Sequence, residues 1–212
     1  MKKLVCLLLA MALCISVPAL AETSPSKTTA DLMRFDVSAE NQTGDLHPYL
    51  LPINEVTVES GLPAHIDHLD ILKRELAKLS DLGIDSYFAD ATDGVGHSVN
   101  LRKMMGLDEG AGLNVFEFCE VIAGGFQKDC GKVTATMLFP TPYEKGEKVD
   151  VLIGIVTLLS DNAYTVTWQA FKGVGVGAVY GMETYGSIRA EFTPEIVWEI
   201  ENGIALLAVI SE

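Results

Sequence analysis

The chain has 212 residues, of which 15 are Lys or Arg and 29 are Asp or Glu, for a formal charge of −14. So acidic a chain is a poor partner for DNA, RNA or anionic lipid, whose phosphates demand a basic surface. Past residue 21 no run approaches the roughly 20 unbroken apolar residues of a membrane span, and the composition is that of a globular protein able to bury a core in one domain.

Residues 1–21 read as a cleaved secretory signal: Lys2 and Lys3, an apolar run from Leu4 to Val17, then Ala19-Leu20-Ala21 as a small-x-small cleavage site. Its loss leaves 191 residues with a charge of −16, because it carries two of the cations and none of the acids. The expected location is therefore secreted or extracytoplasmic. Cys6 and Cys14 leave with the signal, so two of four cysteines remain. In an oxidising compartment Cys119 and Cys130 are expected to pair. Each abuts a strand-like run, residues 113–121 and 132–139, so the bridge would tie the base of a hairpin.

Residues 22–50 read as a weakly ordered N-terminal arm, rich in turn formers and without apolar periodicity. The spacing then predicts a short strand over 53–59 and an amphipathic helix over about 63–82. Ser60 can cap that helix, Pro63 suits its first turn, and Ile66, Leu69, Leu72, Leu76 and Leu79 form the stripe. Lys73, Arg74 and Lys78 should stay solvated. Residues 84–112 are rich in Gly and Asp, with a short helical candidate over 99–105 and a possible sub-boundary near 108–112.

From Leu113 the pattern becomes β. Val133, Ala135 and Met137 oppose Lys132, Thr134 and Thr136. Tyr164, Val166 and Trp168 oppose Thr165 and Thr167, and Ile188, Ala190 and Phe192 oppose Ser187, Arg189 and Glu191. Each is the period-two signature of a sheet with one wet face. Trp168 should be buried with Tyr164 and Val166. Thr193-Pro194-Glu195 starts a short capped helix, and Asn202-Gly203 leads into a last strand. Residues 149–156 and 204–210 are apolar almost throughout and should be covered on both faces. The expected fold is α+β, mainly antiparallel β: a β-sandwich or curled sheet over residues 113–212, with the 63–82 helix on an outer face, all within a single domain of residues 51–212.

Candidate chemistry is thin. Gly96-His97-Ser98-Val99-Asn100 is similar to the nucleophile elbow of α/β-hydrolases, but all four histidines (His47, His65, His68, His97) precede Ser98, so a triad in that family's order cannot be assembled. His65 and His68 stand at i and i+3 on a helical face, a spacing that can hold zinc or copper; Asp70, His47 or His97 would have to complete the set. Asp85, Asp90 and Asp93, beside Gly94 and Gly96, could form a calcium loop, although the EF-hand order is absent. The glycines from Gly173 to Gly177 read as a bulged strand rather than a dinucleotide loop. Tyr143, Tyr180 and Tyr185 lie in or beside loops, where a sandwich presents ligand-contacting aromatics, or else they plug loop bases against the sheet.

The reading these observations favour is an exported, acidic, non-enzymatic module of the cell envelope or surface, binding a protein, peptide or polysaccharide partner and no nucleic acid. No cofactor is expected. The alternative is a small secreted metal-dependent hydrolase, using calcium or zinc, built on His65, His68 and the Asp90–Asp93 loop.

Overall fold

The computed structural model describes residues 35–37, 49–52, 68–122, 132–160, 163–179 and 182–212. In chain order the elements are β1 (Phe35–Val37), β2 (Tyr49–Pro52), α1 (His68–Leu82), α2 (Ile84–Tyr87), α3 (Leu101–Met105), β3 (Asn114–Ile122), β4 (Val133–Phe139), β5 (Lys148–Ser160), β6 (Ala163–Val179), β7 (Met182–Phe192), α4 (Pro194–Asn202) and β8 (Ile204–Ser211). The strands form one eight-stranded sheet in the order β1-β4-β7-β6-β5-β8-β3-β2, antiparallel throughout.

The sheet is curled; it is not two stacked sheets. Cys119 and Val121 of β3 share a buried cluster with Val133, Ala135 and Met137 of β4, although those strands stand five places apart in the sheet. Only a strongly bent sheet brings such distant strands face to face. Helix α4 fills the concave side with Ile196, Val197 and Ile200. Its start follows from local chemistry: Thr193 Oγ1 accepts the Ile196 amide at 3.4 Å, and Pro194 occupies the first turn, where no amide is needed.

The doubly apolar strands are central, as their composition requires. On β5 and β8, Val149, Val151, Ile153, Ala205, Leu207 and Val209 point into the concave core, while Leu152, Val156, Leu206, Ala208 and Ile210 join a second cluster on the convex side. Ile71, Leu72 and Leu79 of α1, Phe88, and Leu101 and Met105 of α3 belong to that same cluster. Of the expected stripe, Leu72 and Leu79 are buried and Leu76 departs from it. Leu76 is 37% exposed, and Glu75 takes an inward position at 2% exposure. Glu75 is tolerated there because the Tyr87 hydroxyl and the Lys78 ammonium donate to its two oxygens at 2.7 and 2.5 Å. Lys73, Arg74 and Lys78 face solvent. The expected helical residues 63–67 and the strand over 53–59 lie outside the described residues.

Trp168 is 6% exposed and lies in the convex cluster with Tyr164 and Val166. Its seat is Gly154, its partner on β5, where an added Cβ would fall 2.8 Å from the indole ring. Phe88, at 5.0 Å between centroids, and Tyr87, at 5.8 Å, meet the indole edge to face.

Two expectations need correction. Residues 113–121 and 132–139 do not form a hairpin: β3 pairs with β8 and β2, and β4 pairs with β7 and β1. The sandwich alternative gives way to the single curled sheet. Of the expected arm over residues 22–50 only 35–37 and 49–50 are described, and they belong to the edge strands β1 and β2. The glycine run does bulge β6, with register shifts between Gly175 and Gly177 and a positive φ of 107° at Gly177. A Cβ on Gly175 would stand 2.1 Å from the Glu144 carbonyl oxygen, so the β4–β5 loop can close only over a glycine.

Candidate functional site

The described helices cover half of the convex side of the sheet. Helices α1–α3 lie over β8, β5 and the first part of β6, but no described helix packs on the convex side of β7 and β4. Alternation dictates what stands there. Phe171, Ile188, Ala190, Phe192, Val133 and Ala135 point into the concave core, so Lys172, Arg189, Glu191, Lys132 and Thr134 point out. Strand register gathers them: Arg189 lies opposite Val174 on β6 and Thr136 on β4, and Glu191 lies opposite Thr134.

The result is an open groove of about 410 Å³, whose polar lining is Lys132, Lys172, Arg189, Glu191 and Thr193. Three cations face one carboxylate there, in a chain with a charge of −14. Lys132 and Glu191 form an exposed pair at 3.6 Å. Lys172 and Arg189 have no ion-pair partner within 4.0 Å among the described residues and are exposed. Exposed Val174 completes the floor at 40% exposure, with Val176, at 37%, two residues further along β6.

Beside this groove lies a buried acid. Asp150 sits on β5 directly opposite Lys172, is 0% exposed, and neither carboxyl oxygen has a hydrogen-bond partner. Burial pushes its carboxyl up to about 7, against the pull of the Lys172 ammonium. A second acid of this kind faces the concave side. Glu117, opposite Val209, is pushed up to about 7 by burial, against a hydrogen bond from Thr141. Burial also raises the Tyr143 phenol and the Cys119 thiol, with Glu117 adding to both.

The residues expected to act are mostly engaged elsewhere. His68 Nδ1 lies 2.7 Å from Glu120 Oε1, in a pair tucked between α1 and β3. Asp93 accepts the Val95 and His97 amides at 3.0 and 2.9 Å and approaches His97 Nδ1 at 3.1 Å, so it closes its own turn. Asp90 is exposed, and Asp85 pairs with Arg102. Among the described residues no three His, Cys, Asp or Glu side chains are gathered as a metal site; His65 lies outside them. Tyr143 is 3% exposed against Phe139 and Phe116, where it plugs the base of the β4–β5 loop. Tyr185 is half-buried on β7, and Tyr180 lies outside the described residues. Cys119 is 0% exposed and has no disulfide partner among the described residues; Cys130, and with it the bridge, lies outside them.

Sequence pattern alone does not single out Lys132, Lys172 and Arg189 as a group. Lys132 and Arg189 are visible as wet-face residues of two alternating strands. Nothing local says that those strands are neighbours. Comparison with protein-family models, curated proteins and solved structures finds no match to the chain.

Proposed function

We propose that the chain is an exported, non-enzymatic binding module of the cell envelope or surface, and that the open β6–β7–β4 face is where it binds. One observation supports the reading: a strongly acidic chain keeps three cations together on a part of its sheet that no described helix covers. Cations placed for solubility alone would be dispersed among the acids, as Arg74 beside Asp70 and Arg102 beside Asp85 are. Export rests on the signature of residues 1–21, and the Cys119–Cys130 bridge belongs to the same proposal. The thiolate of Cys119 is strongly disfavoured once buried, so the bridge would form before the core closes.

The test is photo-crosslinking in cells. A crosslinking residue at Thr134 or Val174, both exposed on the groove side, should give a discrete adduct, and one at Lys73 on α1 should not. Adducts that are equal at all three positions, or absent from the groove positions, contradict the proposal. Intact mass of the recovered chain should show loss of residues 1–21 and of the two thiol hydrogens.

A further inference from the structure

The groove also bears on what it binds. We infer that its occupant is an extended acidic segment of a protein partner, held by carboxylates on Lys132, Lys172 and Arg189. This rests on the reading of that face as the binding surface and adds the ligand's chemistry.

Three features favour this ligand. The first is charge: the lining is cationic while the rest of the chain repels polyanions, so any carboxylate polymer that binds does so locally. An arginine fork suits a planar carboxylate, and two lysines add point charges that tolerate different side-chain lengths. The second is the floor. Val174 and Val176 leave an apolar strip beside the cations, which fits a peptide with aliphatic residues between its acids. A sugar ring would seek an aromatic face to stack on. Phe192 lines the groove, but its ring packs edge-on against Phe171 at 5.0 Å within the concave core. The third is shape. The groove is open and runs across neighbouring strands, which stand about 4.7–4.9 Å apart. β6, β7 and β4 are all interior to the sheet, and the described part of β1 covers the outer edge of β4 over Ala135–Met137. The cations and the apolar strip project from the face of these strands, so recognition is through side chains rather than by strand addition.

Glu191 sharpens the selection. It lies opposite Thr134 and is paired with Lys132, so an incoming carboxylate must displace it from that lysine. Arg189 carries no such competitor among the described residues, and the acid opposite Lys172 is the buried Asp150, so these two cations should be the stronger anchors.

The experiment uses fluorescent poly-L-glutamate with the mature protein at low ionic strength, and polygalacturonate as a carboxylate polymer without a peptide backbone. Wild type should bind polyglutamate. The double variant Lys172→Glu, Arg189→Glu should weaken binding at least about tenfold. The charge-matched control Lys73→Glu, Lys103→Glu should change it less than about twofold, because those exposed cations lie on the helical side. Circular dichroism and unchanged melting establish that each variant is folded. Equal or tighter binding of polygalacturonate, or equal loss in both double variants, would overturn the inference. So would no binding of either polymer, or cation-dependent self-association of the chain in place of polyglutamate binding. Groove-specific crosslinks in cells without polyglutamate binding would sink the ligand class and leave the binding face standing.

Discussion

Trp168→Ala should destabilise the protein by roughly 3–5 kcal/mol in urea unfolding, the usual cost of removing a buried aromatic side chain and leaving its cavity. The indole is the hub of the convex core, with Tyr87, Phe88 and Phe118 around it and Gly154 beneath it. The interaction with Gly154 gives a sharper form of the test. Gly154→Ala places a methyl 2.8 Å from the ring and should destabilise the wild type by overpacking. In the Trp168→Ala background the same methyl enters a cavity and should be tolerated or mildly favourable. The double-mutant cycle should therefore show a coupling of at least about 1 kcal/mol. Additive effects would mean that the glycine is not the seat of the tryptophan.

Asp150→Asn should raise stability at pH 8 by roughly 2–4 kcal/mol and change it little at pH 4, since each tenfold difference in proton affinity between folded and unfolded chain is worth about 1.4 kcal/mol. In the unfolded chain the carboxyl titrates near its ordinary 3.8; in the folded protein it is held up to about 7. Stability associated with the protonated form is therefore fully present below about 4 and is lost as pH rises through about 7. The groups facing Asp150 are Lys172 on β6 and Lys148 two residues back on the same face, while Ile210 on β8 supplies no charge. Removing the carboxylate should raise the melting temperature at pH 8 by about 5–15 °C for a domain of this size. The variant should keep a shallower slope of the same sign, because Glu117 also titrates near 7. Parallel profiles for wild type and variant would show that Asp150 is not the buried acid described.

The strands of this fold are legible in the sequence because burial alternates along them, and alternation is written in single residues. Val149 through Val156 and Ile204 through Ile210 announce strands covered on both faces, and the structure covers one face by curling around α4 and the other by helices. The capped start of α4 and the bulge at Gly175–Gly177 are equally local. Strand partnership is not local. Residues 113–121 and 132–139 are close in sequence, yet they sit near opposite ends of the strand order. The site is hidden for the same reason. Lys132, Lys172 and Arg189 come from three neighbouring stretches of sheet, and only the order β4-β7-β6 brings them together. The histidines and aspartates with metal-like spacing satisfy nearby partners instead, as His68 does with Glu120 and Asp93 with its own turn. The exposure of Leu76 has a simple cause: periodicity cannot tell that Glu75 would be satisfied by Tyr87 and Lys78.

Lysine footprinting in intact cells tests the binding face most directly. An amine-reactive acetylating reagent, applied briefly to cells and to purified protein, reports the access of each ammonium group. Lys132 and Lys172 in the groove and Lys73 and Lys103 on the helical side are all exposed in the isolated chain. In purified protein the four should react at comparable rates. In cells Lys132 and Lys172 should be protected several-fold while Lys73 and Lys103 are unchanged. Equal reactivity of all four in cells, or protection of Lys73 and Lys103 alone, would contradict the assignment of the open β6–β7–β4 face as the binding surface.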